Sequence, residues 1–106
     1  MQETLSKNLT LIGQNDLAGF GGVGEGMALQ VASDGRRILW IAHEGPPKNF
    51  CGVDVTDPRN SRLIYQTELP HQNMRSNSLE VTGDILAVAY QVYELGLEPA
   101  GIELFD

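Results

Sequence analysis

Apolar and polar residues alternate along this chain in short bursts, and the bursts come twice. Val53 and Val55, and later Ile102 and Leu104, alternate with acidic or polar neighbours, the period-two pattern of a strand with one buried face. Residues 38–42 and 85–89 are apolar without a break, which predicts strands covered on both faces. Between the bursts lie short polar turns, Ser33-Asp34-Gly35-Arg36 and Thr82-Gly83-Asp84, where glycine supplies the positive φ of a hairpin. Asp57-Pro58-Arg59-Asn60 turns the chain once more, since proline favours a turn and bars a central strand. No helical periodicity of useful length interrupts the pattern. An all-β chain follows.

The bursts fall into register. Met27-Ala28-Leu29-Gln30-Val31 aligns with Asn77-Ser78-Leu79-Glu80-Val81, and Ile38-Leu39-Trp40-Ile41-Ala42-His43 with Ile85-Leu86-Ala87-Val88-Ala89-Tyr90. Residues 51–57 then fall on residues 100–106, and residues 11–17 match residues 63–69. A unit of about 50 residues holding four short antiparallel strands is one blade of a β-propeller. Residues 27–68 make one blade with strands at 27–32, 37–43, 50–56 and 62–68. Residues 77–106 make an incomplete second, with strands at 77–81, 85–91 and 100–105, and residues 9–15 a D-like strand of a preceding blade. The alternative is a seven-stranded β-sandwich. A closed propeller needs about four to eight blades. Residues 1–106 are therefore expected to be a single β-repeat domain that is a fragment of a larger ring, or that completes one with further copies. Its partners are then the remaining blades or those copies.

Residues 51–58 (CGVDVTDP), followed by Leu63-Ile64-Tyr65, resemble the LVIVD repeat, whose core is an apolar residue, any residue, then Asp-Val-Ser/Thr-Asp-Pro. Residues 100–106 look like a second copy. The resemblance covers most of the chain and implies a β-propeller in a larger, often surface-associated or exported protein of bacteria or archaea. It carries no catalytic residues over.

Composition narrows the function. Fourteen acids against seven bases give a net charge of −7, the wrong sign for a broad nucleic-acid surface. The lone Cys51 excludes an intrachain disulfide and, matching Ala100, reads as a small buried position. Trp40, matching Ala87, is expected to fill space between blades. Nothing approaches a membrane span, and residues 1–10 hold no apolar core of a secretory leader. Residues 19–24 (GFGGVG) spell a dinucleotide fingerprint, but a strand follows where that site needs a helix.

Propeller geometry sends alternate loops to opposite ends. Glu25, His43, Glu44, His71, Gln72, Asn73, Arg75, Gln91, Tyr93 and Glu94 are expected at one end, with the longer loops. Ligand-binding candidates there are His43, Glu44, His71, Asn73, Arg75 and Tyr93. His71, Glu44 and Arg75 are the catalytic candidates: a base, its orienting carboxylate and an anion clamp. His43 and His71 are the candidate metal ligands, though they lack the spacing of a helical zinc motif. No cofactor is predicted, and the small ligand is undefined. The expected role is a non-enzymatic binding or interaction scaffold. The alternative is a segment of a propeller enzyme, a metal-dependent hydrolase included, with its site on the same face.

Overall fold

The computed structural model describes residues 8–106; the leader reading falls mostly outside the described residues. Strands β1 (Val23–Val31), β2 (Arg37–His43), β3 (Lys48–Asp54) and β4 (Arg62–Glu68) form one antiparallel sheet in that order. Strands β5 (Met74–Thr82), β6 (Ile85–Val92) and β7 (Ile102–Phe105) form a second. Among the described residues there is no α-helix, only single 3-10 turns at Leu17–Gly19 and Pro58–Asn60. Among the described residues no helix is long and apolar enough to cross a membrane. The molecule is all-β, built of two open sheets, an arrangement shared by neighbouring blades and by sandwiches.

The sheets stack with β5 against β1, β2 and β3. Cross-strand partners share a face. Ala28 with Trp40 and Ala42 with Phe50 mark the face the first sheet turns to the second, hereafter its back. Leu79 with Val88 and Val81 with Leu86 mark the answering front of the second sheet. Ala42, Phe50, Leu79, Leu86 and Val88 are buried between them, with Ala28, Trp40, Val81, Tyr90 and Phe105 packed around. Each large side chain buried there stabilises by about 1.5–3 kcal/mol.

Two glycines set how closely things approach. A Cβ on Gly26 would sit 2.8 Å from the Asn77 carbonyl oxygen, so β1 meets β5 backbone to backbone. Gly52 lies opposite Trp40, and a Cβ there would come within 2.7 Å of the indole. Trp40 therefore rests on bare backbone, edge-on to Phe50 at 6.0 Å and Tyr65 at 6.1 Å, its Nε1–H donating to Gln30. It fills space between the sheets.

The front of the first sheet is covered over β2 and β3 by the segment around Leu17, which seals Cys51 and Val53 with Ile41, Val55 and Leu63 packed beside them. The apolar run in β2 is thus covered on both faces. Its counterpart in β6 is covered on one: Leu86 and Val88 are buried, while Ile85 is 43% exposed.

Three expectations change. Residues 9–15 form no strand. They have no ladder to join, and the segment is tied down by side chains instead, Asn15 donating to Ser61. The first strand of each sheet begins earlier than expected, at Val23 and Met74, which takes Glu25 and Arg75 out of loops and into β1 and β5. Bulges between Val23 and Met27 and between Ser76 and Ser78 absorb the extra residues.

The third change is in β7. In the first sheet Leu39 faces Val53, Trp40 faces Gly52 and Ala42 faces Phe50. Carried through the repeat, that register would set Ile102 against Leu86, Gly101 against Ala87 and Pro99 against Ala89. Phe105 stands against Leu86 instead, Leu104 against Ala87 and Ile102 against Ala89. The strand is displaced by three residues, Phe105 taking the place of Ile102. An odd displacement turns every side chain to the other face. In this register Leu104 rather than Gly101 stands against Ala87 on the outer face, and Phe105 turns into the core beside Leu86. The shift also brings Phe105 to 5.2 Å from Phe50 and lets Tyr90 donate to Glu103 at 2.5 Å. It leaves Ile102 and Leu104 outside, 70% and 65% exposed.

Candidate functional site

Four loops meet at one end of the stack and are laced by backbone hydrogen bonds. Glu44 N–H donates to the Gly22 carbonyl, Leu69 N–H to Pro47 and Tyr93 N–H to Asn73. A fourth tie comes from a side chain: His71 Nε2 lies 3.1 Å from the Pro99 carbonyl. Residues 16–22, 44–47, 69–73 and 93–101 therefore share an end. The tight turns of residues 32–36 and 83–84, with Gly35 at φ +90° and Gly83 at +58°, lie at the other.

The six candidates are held in separate contacts, His71 with Asn73 and Arg75 with Gln91 among them. His43 is 2% exposed, a core residue at the base of the loops. The Gln66 amide donates both to the Leu17 carbonyl and, at 3.3 Å, to His43 Nε2, so this nitrogen accepts. Burial holds its pKa below the ordinary value; the carbonyls of Gly22 and Phe20 oppose this, and the Lys48 charge adds to it. His71 has both nitrogens engaged. Nδ1 accepts from Asn73 N–H at 3.1 Å, which leaves Nε2–H to donate to Pro99. Asn73 and Pro99, not Glu44, orient it. Arg75 Nε donates to its cross-strand neighbour Gln91 at 2.9 Å. Glu44 and Tyr93 are exposed, Tyr93 by 53%, with its hydroxyl against Gly45. Among the described residues no three His, Cys, Asp or Glu side chains gather as a metal site.

Glycine backbone shapes much of the concavity at this end, and His43 and Glu44 line it too. A cleft of about 440 Å³ runs between residues 19–22 and residues 43–48. Pro46 and Pro47 line it, and Glu44 and Lys48 put one charge of each sign on its wall. Lys48 Nζ stands 4.8 Å above the Phe20 ring and 3.9 Å from Glu68. A slightly larger cleft, about 490 Å³, opens at the tight-turn end between the sheets. The aromatics Trp40, Phe50, Tyr65 and Phe105 line it together with Asp34, Arg36, Asp84 and Asp106, so it is the open seam of the core with a charged border.

A polar cluster that the sequence did not betray joins the sheets near the loops. Asn49, 3% exposed, donates to Tyr90 Oη at 2.8 Å, and Ser76 donates to the Asn49 carbonyl at 2.5 Å. Asn49 Oδ1 is buried without a partner. Tyr90, aligned with His43 in the repeat, was the one available signal. Asn49 and Ser76 fall outside any motif. Burial, and then the bond to Glu103, push the Tyr90 hydroxyl up to about 12. The Cys51 thiol, fully buried, is raised to about 11 by desolvation and is no nucleophile. Comparison with protein-family models, curated proteins and solved structures gives no match to this chain.

Proposed function

We propose that this chain is a non-enzymatic β-repeat segment of LVIVD-like, propeller type, which binds a partner through its loop end. The observation that carries the reading is the lacing of four loops at one end, two of which wall a glycine- and proline-lined cleft. Loops held on a stacked-sheet scaffold keep a binding surface preorganised, which lowers the entropy cost of capture. Glu44 and Lys48 offer the cleft's occupant one charge of each sign, and Phe20 and Tyr93 offer exposed rings. The chemistry suits a polar peptide segment more than a single ion.

The hydrolase alternative has less support. A general base needs a free nitrogen aimed at substrate, and His71 spends both on the backbone while His43 is buried. The test is a titration of the isotope-labelled chain with a library of short peptides of mixed charge, followed by NMR. Binding should perturb residues 19–22, 44–48, 71–73 and 93–99, and Lys48→Glu should weaken it at least several-fold. Hits confined to the tight-turn end, or turnover of ester or phosphate substrates that His71→Ala abolishes, would overturn the reading.

A further inference from the structure

The contact between the sheets is head-to-tail, and that leaves one half of it open at each end of the molecule. Within the chain, the front of the second sheet (Leu79, Val81, Leu86, Val88) covers the back of the first (Ala28, Trp40, Ala42, Phe50). The repeat gives each face a counterpart. Leu79 and Val81 correspond to Leu29 and Val31, which pair with Leu39 and Arg37 on the front of the first sheet. The cover around Leu17 lies over β2 and β3 and misses this edge. Met27, Leu29 and Val31 stand 63%, 55% and 66% exposed. Ala28, Trp40 and Ala42 correspond to Ser78, Ala87 and Ala89 on the back of the second sheet. There the shifted β7 adds Leu104 and Ile102 beside Ala87 and Ala89, also exposed.

We propose that a second copy of this chain docks its Met27–Leu29–Val31 face onto the Ala87–Ala89–Leu104 face, repeating the internal contact between molecules. The interface is heterologous, so each copy uses a different face and leaves one of each kind free. Inside the chain Leu79 and Val88 meet Ala42 and Phe50 with Trp40 beside them; on the outer face Ala87 and Ala89 take the places of Trp40 and Ala42, and Leu104 beside Ala87 supplies bulk from β7. Charge matches too. Inside the chain Gln30 Nε2 donates to the Gly83 carbonyl in the facing turn. The counterpart of Gln30 is Glu80, a carboxylate that can only accept. The counterpart of the Gly83 turn is residues 33–36, where Arg36 holds Asp34 through its Nε at 2.8 Å and has its terminal NH2 groups left to donate, next to Arg37. The exchange of amide for carboxylate on one face is answered by a guanidinium on the other.

This surface is separate from the loop end, and its test is independent of any ligand. Native mass measurement and light scattering of the wild-type chain, in salt sufficient to screen its net charge of −7, should show oligomers that grow with concentration. Leu29→Glu blocks one face and Leu104→Asp the other; both sites are exposed, so circular dichroism should be unchanged and each variant alone should be monomeric. Mixed in equal amounts, the two should form a dimer and stop there, because only one complementary pair of faces remains. Glu80→Arg should weaken wild-type assembly about tenfold, the size of one charge-assisted hydrogen bond. A wild-type chain that stays monomeric, variants that still oligomerise alone, or a mixture that yields no dimer would each overturn the proposal.

Discussion

The two sheets are written with one pattern and close their cores differently. In the first, the largest side chain lies on β2 and the smallest beneath it on β3: Trp40 over Gly52. In the second the sizes are exchanged, Ala87 on β6 against Leu104 on β7. The exchange is made by sliding a strand, not by replacing the pattern. The pattern is kept while the register yields: the pair Trp40–Gly52 lies against the core, the pair Ala87–Leu104 on the exposed outer face. The same comparison separates His43 from Tyr90. They hold matching places, one sealed by glycine backbone and the other by the facing sheet, and they answer pH in opposite directions.

The widest gap between the sheets should come from their phenylalanines. Phe50→Ala empties a site 1% exposed and should cost about 3–5 kcal/mol in denaturant unfolding. Phe105→Ala, at a half-buried edge, should cost about 1–2 kcal/mol. Equal losses would mean that β7 is as integral as β3. Next is Gly52→Ala, whose new methyl would collide with the Trp40 ring and should cost about 1–3 kcal/mol. The reciprocal change, Ala87→Trp, should drive β7 back to the repeat register with Gly101 beneath the new indole, seen by NMR as the disappearance of cross-strand signals between Leu104 and residue 87. The smallest effect is on pH dependence. His43 binds its proton less readily when folded, so stability present above its ordinary pKa of 6.5 is lost as pH falls below that value. Tyr90 gives up its proton less readily when folded, so stability present below 10 is lost as pH rises toward about 12. His43→Gln should flatten the acid limb of the melting profile, and Tyr90→Phe the alkaline one.

Much of the architecture was legible because it rests on local signals. The bounds of β2 and β4 follow from apolar runs between turns, and both hairpins from glycines at positive φ. The gathering of the long loops at one end follows from strand count alone. The register of β7 was not legible, because alternation fixes which residues share a face but not which face they take. The register observed seats Phe105 against Phe50, a residue of the other sheet. The candidate site was overread for a related reason. His71 and Arg75 look reactive by residue type alone, yet Asn73 and Pro99 engage both nitrogens of His71, and Gln91 ties Arg75 through its Nε to the neighbouring strand. The cleft beside residues 19–22 was missed because backbone builds it. Glycine leaves no chemical signature beyond its own spacing.

The seal around Leu17 gives the molecule a clock. Cys51 is the sole sulfhydryl in the chain, it lies with no accessible surface, and its elevated pKa keeps it unreactive where it sits. A disulfide reagent in excess can reach it only when that flap lifts or the sheet parts. The pace of its labelling is therefore the pace of local opening, measured without touching the fold.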